Sequence, residues 1–277
     1  MQVAGPDTSN PQWIARLGED VGHRVVLQTS HFYAERPPTD PRMTIDYLLS
    51  PGERLQTCVL LVVALSQKSG VPYRISEGNT CYAAGKAGAS DKFASALWVV
   101  DFMFAVAQAG ATGVNLHGGG NGLYTPIAGS SHEGYTARPI YYGELMARQL
   151  LGSALVRTEV NADGMNVAAC AARALDELQV VVLNREREPI SCRMIAPAPD
   201  RAANGEVWRL EAPSVESKTG VTLAEANVSS EGIFHAAATE QVRIREGSAT
   251  VKPGPYSAVL IAVAVKVNKT QPYPHPQ

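Results

Sequence analysis

Residues 71–117 read VPYRISEGNTCYAAGKAGASDKFASALWVVDFMFAVAQAGATGVNLH, and this stretch decides the fold. Val71 to Ile75 is a short apolar run of strand character that opens into Ser76, Glu77, Gly78 and Asn79. Ser90 or Asp91 stands where a helix N-cap is wanted, Phe93 to Ala109 is apolar on nearly every face, and Gly110 closes the run. A helix that is apolar all round is covered on most sides. Gly113 to His117 then reads as a second strand, opening into Gly118, Gly119 and Gly120. Strand, helix and strand at this spacing predict βα units with a parallel sheet.

The pattern extends upstream. Val25 to Leu27 leads into Gln28, Thr29, Ser30, His31, Phe32 and Tyr33, and a helix is expected from about Glu53 to Lys68, ended by Gly70. Gln2 to Asp7 reads as one more strand end, with Pro11 to Leu17 starting the helix after it. Downstream, Tyr141 to Leu151 is helix-like and the texture then becomes all-β. The runs Ala154–Val160, Val167–Leu175, Leu178–Asn184, Ile190–Ala196, Glu206–Leu210, Val221–Ala226 and Tyr256–Val267 are separated by turn-rich stretches, a pattern that suggests a β-sandwich. The expected class is α/β plus all-β, with one domain over 1–150 and a second over 151–277.

Composition narrows the partners. The 277 residues carry 24 basic and 26 acidic side chains, a net charge of -2 with no electrostatic footprint for nucleic acid or an anionic membrane. No apolar run approaches the ~18 residues of a membrane span, and the longest, Tyr256 to Val267, reads as a buried strand. The opening MQVAGPDTSN lacks the basic start and apolar middle of a signal peptide, which leaves localisation open. Cys58, Cys81, Cys170 and Cys192 are far apart with no CxxC pair, so buried thiols are expected, with a Cys170–Cys192 bridge as the alternative.

Polar side chains collect just past the C-terminal ends of the expected strands: Asp7, His31 and Tyr33, Glu77 and Asn79, Asn115 and His117. In βα folds the loops at that edge converge on one cleft. Glu77 ends an apolar strand, so it reads either as a nucleophile or general acid/base, or as a surface glutamate. His31 and His117 read as functional or structural histidines, and Tyr33, Tyr82 and Tyr124 as site or packing residues. The glycines at 118–120 are not followed by the Lys-Ser/Thr of a phosphate loop, and His132-Glu133 lacks the second histidine of a zincin helix.

The stretch from Val71 to Trp98, with GATGVNLHGGG (110–120), LYTPI (123–127), ARPIYYG (137–143), GPD (5–7) and SHFYAERPPTDPRMTIDYLLSP (30–51), resembles glycoside hydrolase family 79. That family contains microbial β-glucuronidases and is related to heparanase; its full-length members are often secreted. The resemblance implies an eight-stranded βα barrel with a C-terminal β-domain, and cleavage of β-glucuronides with retention by two glutamates, without metal or cofactor. It implies that Glu77 is the nucleophile and that Tyr33 contacts its side of the site. It further implies that Tyr82, Tyr124 and the backbone N–H groups near Ala83 and Ala84 recognise the sugar carboxylate, with His117 in the sugar subsite. Gly78 and Thr80 stand where relatives often carry other residues.

One departure is large. The family's acid/base glutamate follows an asparagine at the end of the fourth strand, whereas this chain starts at what resembles the fifth, and no Asn-Glu pair occurs in it. The expected architecture is therefore the C-terminal half of a (β/α)8 barrel, about four βα units, followed by a β-sandwich. Four strands with two open edges suggest either a missing N-terminal half or self-association. The alternative function is a non-catalytic carbohydrate-binding or interaction fragment.

Overall fold

The computed structural model describes residues 1–34, 37–50, 60, 64, 67–118, 121–174, 176–196 and 203–265. The helix expected over Glu53 to Lys68 falls largely outside them, as do Cys58, Gly119 and Gly120.

The N-terminal part is built on four parallel strands in the order β1 (Val3–Thr8), β2 (Val25–Tyr33), β3 (Tyr73–Asn79) and β4 (Val114–Leu116). Helix α1 (Pro11–Val21) links the first two, and a short α2 (Ile45–Leu49) follows β2. Between β3 and β4 runs α3 (Ala94–Gln108), and α4 (Pro139–Arg148) leads out of this part. The hairpin β5 (Ile127–Ser130) and β6 (Gly134–Ala137) sits between β4 and α4.

The C-terminal part is antiparallel. Its strands are β7 (Ala154–Val156), β8 (Val167–Arg173), β9 (Glu177–Asn184), β10 (Cys192–Ile195), β11 (Ala203–Glu211), β12 (Thr222–Leu223), β13 (Glu240–Ile244), β14 (Ser248–Val251) and β15 (Ser257–Ala264). Seven of them form one sheet ordered β12-β11-β15-β9-β8-β7, with β13 also on β11, while β10 and β14 pair apart. Along β9 the side chains alternate between two cores. Val181 and Leu183 join α3 and α4, while Val180 and Val182 meet Met194, Ala249 and Val251 of the β10–β14 ribbon. Among the described residues the large sheet is thus faced by helices on one side and by a ribbon of two strands on the other.

Helix α3 explains why its sequence is apolar all round. Phe102 stacks on Phe32 of β2 at 5.4 Å between ring centroids, and Trp98 stacks on Phe102 at 4.9 Å. One cluster runs from Phe32 and Ile75 through Leu97, Val99 and Val100 to Leu183, Leu210 and Leu260 of the large sheet. Gly143 lets α4 lie against α3, since a Cβ there would stand 2.3 Å from Ala96 O. Neither Ser90 nor Asp91 caps α3, in contrast to the sequence expectation. Phe93 is the cap residue, and the amides of Phe93 and Ala94 donate to Ser217 O and Val215 O from the C-terminal part. Ser90 Oγ instead accepts from Lys86 N–H, and Asp91 Oδ1 from Gly88 N–H.

Cys81, Cys170 and Cys192 form no disulfide, so the alternative Cys170–Cys192 bridge is not present. Burial raises the pKa of all three thiols. Among the described residues no helix is long and apolar enough to cross a membrane, and no cluster of His, Cys, Asp and Glu has metal-site geometry.

Glu144 on α4 gives a stability prediction. Its Oε1 is enclosed with no hydrogen-bond partner among the described residues, and burial pushes its pKa up to about 8 from 4.5. The folded state keeps a proton here that the unfolded chain loses above 4.5, so stability falls as pH rises from about 4.5 to 8. Glu144→Gln flattens that slope and stabilises the chain above pH 8 by on the order of 1 kcal/mol, read by urea unfolding at several pH values.

Candidate active site

The side chains that gather beyond the C-terminal edge of the parallel sheet come from three strands and two loops. Glu77 stands near the end of β3 with its side chain 35% exposed, open enough for a ligand to reach. Tyr33, the last residue of β2, donates its hydroxyl proton to Glu77 Oε1 at 2.6 Å. Burial first, and then the bond to the Glu77 carboxylate, hold the Tyr33 phenol well above its ordinary pKa, so it stays protonated and a donor. With that proton committed to Glu77, the Tyr33 oxygen accepts from His117 Nδ1–H at 2.8 Å, which fixes the His117 tautomer. His117 Nδ1 also lies 3.5 Å from Glu77 Oε1 and 3.2 Å from the Tyr124 hydroxyl. Burial is the main cause that raises the Tyr124 pKa.

Loops lock these groups in place. Asn79, fully buried at the end of β3, donates through Nδ2 to His117 O at 2.9 Å and to Tyr124 O at 3.3 Å. That one amide fastens two points of the segment between β4 and β5 to the strand that carries Glu77. The 80–91 loop is tied internally by Thr80 Oγ1 donating to Ser90 Oγ and externally by Lys86 Nζ donating to Asp40 O. Tyr82 leans edge-on to Tyr33 at 6.4 Å between centroids and stays 44% exposed, so its face is available to a ligand. Ala83 and Ala84 follow with φ of 53° and 68°, left-handed conformations that alanine disfavours. Ala84 O accepts from Leu123 N–H, which binds this loop to the Tyr124 loop. Ala84→Gly removes the strain and raises stability by about 0.5–1 kcal/mol, measured as a shift in the urea midpoint.

The candidate site residues Glu77, Tyr33, Tyr82, Ala83, Ala84, His117 and Tyr124 all fall in this one region. Three further residues belong here. Asn79 is one, and His31 and Asp7 are the others. His31 Nδ1 is 3.7 Å from Glu77 Oε1, and its Nε2 is 3.2 Å from Asp7 Oδ1. All three stand among the strand-end polar residues visible in the sequence; only the tertiary pairing shows that they touch the others. Asn115 goes elsewhere, accepting from Arg74 Nε at 2.9 Å.

No family model matches the chain. It is 28% identical over 152 residues to a beta-glucuronidase of Aspergillus niger, a match covering 51% of this chain and 28% of that protein. Among solved structures, a 4-O-alpha-L-rhamnosyl-beta-D-glucuronidase from Fusarium oxysporum, in complex with Rha-GlcA, is similar with a TM-score of 0.73 at 20% identity. The match covers 90% of this chain and 56% of that one. The chain has the fold of glycoside hydrolases. An alpha-L-arabinofuranosidase from Thermotoga maritima is similar with a TM-score of 0.67 at 17% identity, over 95% of this chain and 57% of that one. A family 44 endoglucanase from Clostridium acetobutylium has a TM-score of 0.64 at 12% identity, over 95% and 57%. The chain thus spans 28% of the length of the curated relative and a little over half of each of these structures.

Proposed function

We propose that this chain is part of a retaining glycoside hydrolase of β-glucuronidase type, with Glu77 as its nucleophile. The observation that carries the reading is the 2.6 Å hydrogen bond by which Tyr33 holds Glu77 Oε1 at the open edge of the parallel sheet. With Oε1 held, Oε2 is the oxygen that attacks C1 of the sugar. The bond from C1 to the departing oxygen breaks, that oxygen takes a proton from a general acid, and water later releases the sugar by attacking C1 again. The likeness to the Aspergillus and Fusarium glucuronidases supports a glucuronide as substrate. The exposed Tyr82 and the loop at Ala83 and Ala84 are then the partners of the sugar carboxylate, and His117 and Tyr124 line the subsite.

In this reading the four-stranded sheet is half of a (β/α)8 barrel over residues 1–150, and residues 151–277 are its β-domain. The general acid comes with the polypeptide that closes the open face between edge strands β1 and β4, since retention needs a second carboxyl ~5–5.5 Å from the first.

A 2-deoxy-2-fluoro-β-glucuronyl fluoride tests the nucleophile, because fluoride departs without a general acid. The expected result is one covalent adduct, located by mass spectrometry on the peptide carrying Glu77. Binding of the probe with no adduct on any residue overturns the catalytic assignment and favours a carbohydrate-binding role.

A further inference from the structure

Two irregularities in the parallel sheet face each other across β2. Between β1 and β2 the register runs Pro6 to Thr29 and then Thr8 to Ser30, so Asp7 is the extra residue. Between β2 and β3 it runs Ser30 to Ile75 and then His31 to Glu77, so Ser76 is the extra residue. A bulge re-aims the side chains around it. In an unbroken strand Ser76 and Glu77 would point to opposite faces; the inserted residue lets both take partners on the side of Asp7 and His31. The two extra residues are joined, for Ser76 donates its hydroxyl proton to Asp7 Oδ1, and Ser76 Oγ also lies 3.1 Å from Ser30 O. Asp7 is itself seated by its N–H, which donates to Thr29 Oγ1 at 3.0 Å, and by a left-handed φ of 59°.

His31 lies between these groups. Asp7 from β1 faces its Nε2 at 3.2 Å, outside hydrogen-bond geometry, and Glu77 from β3 faces its Nδ1 at 3.7 Å. Tyr33 on its own strand and His117 from the loop after β4 approach the same carboxylate oxygen at 2.6 and 3.5 Å, and Tyr124 meets His117 at 3.2 Å. The Asp7 side chain is 60% exposed, so its charge alone contributes little through water. Its effect is geometric.

We propose that Asp7 is a positioning residue for Glu77: through its bond from Ser76, with His31 packed beside it, Asp7 clasps the two bulges together and sets the direction in which the Glu77 carboxylate points. This rests on the reading of Glu77 as nucleophile. Nothing in the clasp depends on the sugar being a glucuronide.

The test compares the 277-residue chain with its Asp7→Ala, Asp7→Asn and Ser76→Ala variants by two readouts. The first is the rate constant for labelling of Glu77 by the fluoroglucuronyl fluoride, separated from probe affinity. The second is the NMR signature of the His31 ring, assigned by its loss in His31→Gln. Asp7→Ala and Ser76→Ala are expected to slow labelling about tenfold or more at unchanged probe affinity and to shift the His31 ring signals. Asp7→Asn, which keeps an oxygen for the Ser76 proton, recovers most of the rate. Wild-type labelling rates and unmoved ring signals in both alanine variants overturn the proposal, as does an Asp7→Asn variant no better than Asp7→Ala. If the unaltered chain binds the probe without being labelled while the ring signals respond to Asp7→Ala, Ser76→Ala and Glu77→Gln alike, the clasp stands and the nucleophile assignment fails. Should Asp7→Ala not fold, Ser76→Ala cuts the same contact while removing a single oxygen.

Discussion

Glu77→Gln is expected to leave the protein folded and to remove covalent labelling, lowering the rate at least about 10³-fold. The amide matches the carboxylate in shape and keeps an oxygen for the Tyr33 proton at the 2.6 Å contact, but it carries no charge to attack C1. Stability changes little, because the side chain is 35% exposed and lies outside both hydrophobic clusters. A second consequence separates loss of charge from loss of shape. The Tyr33 phenol is held high by burial and, after it, by Glu77. Glu77→Gln therefore lets it come down while burial still keeps it raised, a change that ultraviolet titration of the tyrosines reads. In the proposed mechanism the smaller Glu77→Ala vacates the face below C1. With an activated aryl glycoside and azide, that variant should form the glycosyl azide of inverted configuration. Azide supplies the electron pair that Glu77 no longer does, and the aryl oxide leaves without a proton donor.

Tyr33, Glu77 and His117 are legible as site residues from their place at strand ends, for a geometric reason, whereas Tyr82, Ala83, Ala84 and Tyr124 enter through the family resemblance. In a parallel sheet every strand delivers its last residues to the same edge, so Tyr33, Glu77 and His117 converge whatever the details of packing. The apolar run Phe93 to Ala109 announced a helix because a surface on every side is covered, here by the parallel sheet, α4 and the large antiparallel sheet. What sequence did not show lies in contacts between distant segments. Ser90 and Asp91 have the chemistry of caps, yet carbonyls about 120 residues downstream take the amides of Phe93 and Ala94, and no local pattern records that. The β5–β6 hairpin is built from IAGS and GYTA, short and poor in branched residues. Strands β13 and β14 leave no clear signal in the sequence because the chain changes partners between them. It leaves the large sheet after Ile244 and joins β10 from Ser248, across a turn with left-handed Glu246 and Gly247. Neither strand is long enough to show its alternation. The two bulges are invisible for the same reason: a register slip is a property of a pair of strands.

Gly78→Ala is the substitution through which fold and site answer together. Gly78 pairs with Phe32 across β2 and β3, and a Cβ there would stand 2.6 Å from Phe32 O, closer than real Cβ atoms approach. The contact is with backbone, so no rotamer change relieves it, and Ile75 Cγ2 and Phe102 Cζ at 3.4 Å close the other directions. The strands must part at the one point flanked by Tyr33 on β2 and Glu77 on β3. Forcing a methyl into such packing costs about 2–3 kcal/mol, to be read as a lower urea midpoint at unchanged slope. Displacing the Tyr33 hydroxyl from Glu77 by even ~1 Å is expected to slow labelling about 10²-fold. Stability and rate therefore fall together in Gly78→Ala, whereas Glu77→Gln loses rate alone. A folded Gly78→Ala protein that is labelled at the wild-type rate would show that the close approach of β2 and β3 at Phe32 and Gly78 does not set the geometry of the Glu77 carboxylate.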